Sequence, residues 1–238
     1  WLVVQAPVKE EPDPDTYNLI VKLGTIATTG NEAAVVYATK SVDQMLVIDK
    51  SGSMDDPLAY PKIDAAKEAG KLFVDSARSS DYTGVVSFSG DMNEPNDDAT
   101  LEYKLQPVTE DSRLEAKEAI NLIETENMTS IGDGMYLAYD EIVNSGNGRP
   151  APPTERWIVL LSDGMENEAA YWDNIKNYIH NNNIKVNAIA LGPLSDQPLM
   201  QSIATYTGGR YYYVDLPPVT TSTSQIEGRA VSEVLLEL

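Results

Sequence analysis

From residue 43 onward, short apolar runs alternate with stretches in which apolar residues recur every three or four positions. The runs fall at 44–49, 83–89, 157–162 and 185–191, with a shorter one at 210–214. Ile158-Val159-Leu160-Leu161 is apolar on both faces, as a strand covered on both sides requires, and this pattern predicts a parallel sheet. Residues 101–105 alternate instead, which fits an edge strand. Helical periodicity marks 61–78, 114–123, 134–143, 169–180 and 198–205; in the first, Ile63, Ala66, Ala69, Phe73 and Ala77 fall near one face. Residues 224–238 carry Ile226, Val231, Val234, Leu235 and Leu238, predicting a closing amphipathic helix. The fold class is therefore α/β, a doubly wound and mostly parallel sheet flanked by helices.

The N-terminal part follows another pattern. Residues 1–16 read as linker, and 6–16 hold three prolines and four acids with almost nothing to bury. Two strand-like runs, 17–23 and 33–38, flank a turn at Thr29-Gly30-Asn31. Residues 17–40 are thus a hairpin-like, β-rich extension, belonging to this domain or to a neighbouring β domain. The main domain is expected over 41–238. The chain opens on Trp1, which suits a fragment of a larger protein.

Composition removes several kinds of chemistry. There is no cysteine and one histidine, His180, so thiolate chemistry, disulfides and multi-histidine zinc sites are excluded. Acids outnumber bases 37 to 17 and the net charge is −20, which repels phosphate backbones and makes nucleic acid a poor partner. No run approaches the roughly 18 apolar residues of a membrane span.

Open α/β sheets bind ligands beyond the carboxyl ends of their strands. Asp49 ends one predicted strand and leads into Lys50-Ser51-Gly52-Ser53; Asp163 ends another; Met128-Thr129-Ser130 opens a helix between them. Asp49, Ser51 and Ser53 are spaced by two, so an extended loop points them to one side. Oxygen-only groups of this kind suit a hard divalent cation such as Mg²⁺, held by one or two carboxylates and keeping several waters. The serines could alternatively cap the helix that follows.

The Asp49-x-Ser51-x-Ser53 run, with Thr129 and then Asp163-Gly164 downstream, resembles the von Willebrand factor type A family and its metal-ion-dependent adhesion site. The segment Ile203-Ala204-Thr205-Tyr206-Thr207-Gly208-Gly209-Arg210-Tyr211 is similar to the family's approach to its last strand. The resemblance covers about residues 41–238 and implies a Rossmann-like fold and a non-enzymatic adhesion or protein-binding module. It implies hydroxyl ligands from Ser51, Ser53 and Thr129, with Asp49 and Asp163 orienting metal-bound waters. The expected cation is Mg²⁺, with Mn²⁺ or Ca²⁺ as options. A protein ligand presenting Asp or Glu would complete its coordination.

Ser130, Asp133 and Asn167 stand near the same loops, as supports of the ligands or as ordinary turn polarity. Lys50 reads as an exposed loop lysine, His180 as a helix-end cation, and the acidic stretch 91–98 as a solvated loop. The competing function is a Mg²⁺-dependent phosphohydrolase similar to haloacid dehalogenase-like enzymes, with Asp49 as nucleophile. That layout wants a second Asp two residues later, where Ser51 stands. The acidity, the linker and the β-rich prefix point to an extracellular or cell-surface protein of a microbe.

Overall fold

The computed structural model describes residues 2–5, 18–23, 33–38, 40–55, 62–90, 98–126 and 128–215. Three N-terminal strands, β1 (Leu2–Gln5), β2 (Asn18–Leu23) and β3 (Ala33–Ala38), form an antiparallel sheet in that order. The β2–β3 pair has the hairpin pairing expected, Asn18 facing Ala38 and Leu23 facing Ala33. Leu2–Gln5 corrects the reading of 1–16 as linker throughout: its Leu-Val-Val run pairs with β2, Leu2 opposite Leu23. The rest of that linker, the stretch 91–97 and the predicted helix 224–238 lie outside the described residues.

The second sheet holds β4 (Val42–Asp49), β5 (Tyr82–Phe88), β6 (Ala99–Pro107), β7 (Glu155–Ser162), β8 (Ile184–Leu191) and β9 (Tyr211–Val214). Its order is β6-β5-β4-β7-β8-β9; all neighbours are parallel except the β5–β6 pair, so 101–105 does belong to an edge strand. Among the described residues, five helices connect the strands: α1 (Lys62–Ser76), α2 (Glu110–Asn121), α3 (Ile131–Val143), α4 (Trp172–Asn181) and α5 (Gln197–Thr207).

Strand alternation divides the core in two. Met45, Val47, Ile158, Leu160, Val186 and Ala188 meet Ile131, Met135, Trp172, Ile175, Met200 and Ile203 on the α3–α4–α5 side. Leu46, Ile48, Val159, Leu161, Ile189 and Leu191 meet Ile63, Ala66, Phe73 and Ile120 on the α1–α2 side. Each fully buried Leu, Ile or Met contributes roughly 1.5–3 kcal/mol, so the central strands anchor both layers.

Two helices begin earlier than periodicity predicts. Helix α2 starts at Glu110 because Thr109 and Ser112 form a reciprocal capping box with no apolar signal. Helix α3 starts at Ile131 although Gly132 and Gly134 read as loop. A Cβ on Gly132 would sit 2.1 Å from the Ala170 carbonyl oxygen, so this glycine serves close approach within the helix. At the amino end of the strands Asp43, fully buried, is held by Arg149. The guanidinium reaches it through Nε at 2.7 Å and Nη2 at 2.6 Å, and the Arg149 N–H donates at 2.6 Å.

Candidate metal centre

The chain leaves β4 for β5 on one side and returns to β7 on the other, so the carboxyl ends of β4 and β7 flank the point where the strand order reverses. Strand parity decides what points where. Met45 and Val47 face the α3 side, so Asp49 does too; Ile158 and Leu160 put Ser162 on the same face. Ser162 Oγ donates to Asp49 Oδ2 at 2.6 Å, and the Ser51 N–H donates to Asp49 Oδ1 at 2.8 Å. Asp163 shares parity with Val159 and Leu161 and turns toward the α1 side, where the Lys62 ammonium pairs with its Oδ2.

Ser53 lies on the short 3₁₀ turn, Gly52–Asp55, that follows β4, and Ser51 lies just before it, in a parallel bridge to Glu126. The two serine Oγ atoms are 3.1 Å apart, and Ser53 Oγ donates to Asp163 Oδ1 at 2.7 Å. Thr129 enters from the loop before α3. Its N–H donates to Asn167 Oδ1 at 3.0 Å, and its carbonyl accepts from the N–H groups of Asn167 and Glu168. A Cβ built on Gly164 would meet Thr129 Oγ1 at 3.1 Å and Ser53 Oγ at 3.5 Å. Both hydroxyls therefore border one small space that a single methyl would invade. The structure thus brings Asp49, Ser51, Ser53, Thr129 and Asp163 to one end of the sheet, and all but Ser53 are buried.

The surrounding loops are tied together. Ser130 Oγ is 2.7 Å from Asp133 Oδ2, and the Ala170 N–H donates to that same oxygen at 2.9 Å. Asp133 lies in the first turn of α3, where a carboxylate complements the helix dipole. Glu166 Oε1 accepts from the Gly132 and Trp172 N–H groups, joining the starts of α3 and α4. Lys50 is buried, against the expectation of an exposed lysine. Its Nζ lies 3.2 Å from Glu126 Oε1, and its backbone carbonyl accepts from the Glu126 N–H.

Burial and the Asp163 charge raise the Asp49 carboxyl to about 6, although hydrogen bonds from Ser162 and Ser51 pull it back. Glu166 rises to about 7, first through burial, with Asp173 and Asp133 adding repulsion against two amide hydrogen bonds.

Among the described residues no three His, Cys, Asp or Glu side chains cluster as a metal cage. The candidate donors are instead two carboxylates and three hydroxyls, of which the Ser53 and Thr129 hydroxyls border the Gly164 cradle; such groups fit a hard cation that keeps part of its water. Sequence reasoning missed Lys62 and Ser162. Strand parity was the available signal for Ser162, since it follows Leu160 on the face that Asp49 also takes.

The profile of the von Willebrand factor type A domain matches residues 43–225. The chain belongs to this family. Domains of the family are generally interaction modules. A UPF0353 protein of Mycolicibacterium paratuberculosis is 35% identical over 147 residues, covering 60% of this chain and 40% of that relative. The chain thus spans well under two thirds of the length of the curated relatives it matches. Among solved structures, a von Willebrand factor type A protein from Catenulispora acidiphila superposes with TM-score 0.62 at 19% identity, covering 92% of this chain and 45% of its own. Proximal thread matrix protein 1 of the mussel byssus, solved with a zinc-occupied MIDAS motif, gives TM-score 0.63 at 17% identity over 84% of this chain and 48% of its own. At these identities the two structures establish the fold alone. No described helix is long and apolar enough to cross a membrane.

Proposed function

We propose that residues 41–238 form a cation-dependent protein-binding module, without catalytic activity of its own. Ser51, Ser53 and Thr129 would present hydroxyl oxygens to Mg²⁺, with Asp49 and Asp163 holding bound waters; Mn²⁺ or Ca²⁺ suit the same donors. When bound, the cation supplies an electrophilic position for an Asp or Glu carboxylate from a protein partner. Affinity beyond that contact would come from the surrounding rim.

The observation that carries this reading is the gathering of those five residues, from three loops, at one end of the sheet, with the Ser53 and Thr129 hydroxyls bordering the space beside Gly164 and Ser53 bonded to Ser51 and Asp163. The zinc-occupied motif of the byssus protein supports a divalent ion in a domain of this fold. For a phosphohydrolase, both oxygens of Asp49 are already engaged by Ser51 and Ser162, and Ser51 replaces the second Asp. Residues 17–40 act as a β-rich extension within a larger chain, at the surface of or outside a microbial cell.

The test is a thermal-shift titration with Mg²⁺, Mn²⁺ and Ca²⁺ on chelator-stripped protein and on Asp49→Ala and Thr129→Ala. A cation that binds only the folded state raises its stability by RT ln(1 + [L]/Kd). A shift in the parent that disappears in both variants is the expected result. No shift with any of the three ions would sink the reading.

A further inference from the structure

Lys62 is the first residue of α1, yet its side chain is only 9% exposed. Two costs attend that position. A cation opposes the positive end of a helix dipole, and a lysine is almost never buried without a partner. The ammonium nevertheless pairs with Asp163 Oδ2, whose side chain is fully buried, and lies 3.4 Å from the Ser53 carbonyl oxygen. Its stem passes beside Gly192: a Cβ there would come within 3.7 Å of Lys62 Cε. Asp163 is thereby divided between two tasks, Oδ2 on the ammonium and Oδ1 on the Ser53 hydroxyl.

The charge sum follows from these contacts. Two carboxylates would formally cancel a divalent ion's charge, so that its open position would attract an incoming anion by coordination alone, without net charge. The fixed ammonium adds one positive charge within the same buried cluster, where screening is weak. We infer that Lys62 is a positioning residue that lowers the centre's affinity for its cation while keeping the occupied centre net positive, and so raises its affinity for a carboxylate partner. This rests on the cation-dependent reading above and adds a specificity determinant outside the five donors. A site built only for tight metal retention has no use for a buried cation on one of its two acids.

The experiment uses Mn²⁺ as the metal probe and acetate as the carboxylate probe. Calorimetry gives the Mn²⁺ affinity, and water-proton relaxation of the Mn²⁺-loaded protein reports displacement of metal-bound water by acetate. Lys62→Gln keeps a hydrogen-bond donor without charge, Lys62→Met keeps the stem length, and Lys62→Arg keeps the charge; circular dichroism establishes that each is folded. The expected result is Mn²⁺ binding at least about tenfold tighter in the folded uncharged variants. Acetate should bind their Mn²⁺-loaded forms at least about threefold more weakly, and Lys62→Arg should move both values back toward the parent. Unchanged or weaker Mn²⁺ binding in Lys62→Gln and Lys62→Met would overturn the inference and leave Lys62 a packing residue. Parent protein that binds no Mn²⁺ would instead overturn the cation-dependent function itself.

Discussion

Replacing Ser162 by alanine removes one hydroxyl and little volume, from a position with no solvent exposure. The lost contact is the 2.6 Å hydrogen bond to Asp49 Oδ2, and its worth depends on the charge of that carboxyl. Asp49 titrates near 6 in the folded, metal-free protein, above its ordinary 3.8. The folded state therefore holds this proton more tightly than the unfolded chain. Stability from this group is greatest at low pH and falls as pH rises from about 4 to 6, by roughly 3 kcal/mol in all. Near pH 8 the carboxylate is ionised, and a hydrogen bond to it contributes about 1.5–3 kcal/mol. Near pH 5 the group is mostly protonated, and the same contact is worth about 0.5–1.5 kcal/mol. Ser162→Ala should accordingly cost about 1 kcal/mol more at pH 8 than at pH 5. Urea unfolding of both proteins in chelator at the two pH values measures this directly. An equal cost at both, or a larger one at pH 5, would refute the account of Asp49 as a buried carboxylate held by a serine donor.

Arg149→Ala strands the fully buried Asp43 and should cost about 3–5 kcal/mol in urea unfolding at pH 7; a loss under 1 kcal/mol would mean the pair is solvated. Gly164→Ala places a methyl 3.1 Å from Thr129 Oγ1, so the protein should keep its circular dichroism but lose most of the cation-induced melting shift. Glu166 has a folded value raised from 4.5 to about 7, so its contribution to stability falls as pH rises through that window. Glu166→Gln removes the fall. The stability of the variant relative to the parent should grow from pH 4.5 to 7, and a flat difference would contradict the assignment.

The sheet was legible because it is written in apolar runs whose faces cannot be exchanged. Val159 and Leu160 must each find a different helix layer, and that requirement alone implies a doubly covered strand. Among the candidate donors, Asp49, Ser51, Ser53 and Asp163 stood out by spacing and strand ends, and Thr129 through the resemblance to the family. What escaped was set by tertiary contact. Lys62 looks like any charged residue at a helix start until α1 is laid on the face that Asp163 shares. Gly132 looks like a breaker until the Ala170 carbonyl is placed against it. Lys50 looked exposed because Glu126, 76 positions away in sequence, supplies its counter-charge and a parallel bridge to Ser51. The first strand was hidden by length, since four residues beside an acidic, proline-bearing stretch give too short an alternation to register.

The edges of the larger sheet carry a consequence for crowding. Among the described residues, one edge, β6, is antiparallel, shifts register twice against β5 and exposes Lys104 as well as Leu101; the other, β9, is only four residues long. Unpaired strand edges recruit other chains when they are long, flat and apolar, and neither of these is. With a net charge of −20 on each copy, mutual repulsion adds to that protection. Even at high local density, copies of this domain are therefore disfavoured from pairing edge to edge through the larger sheet.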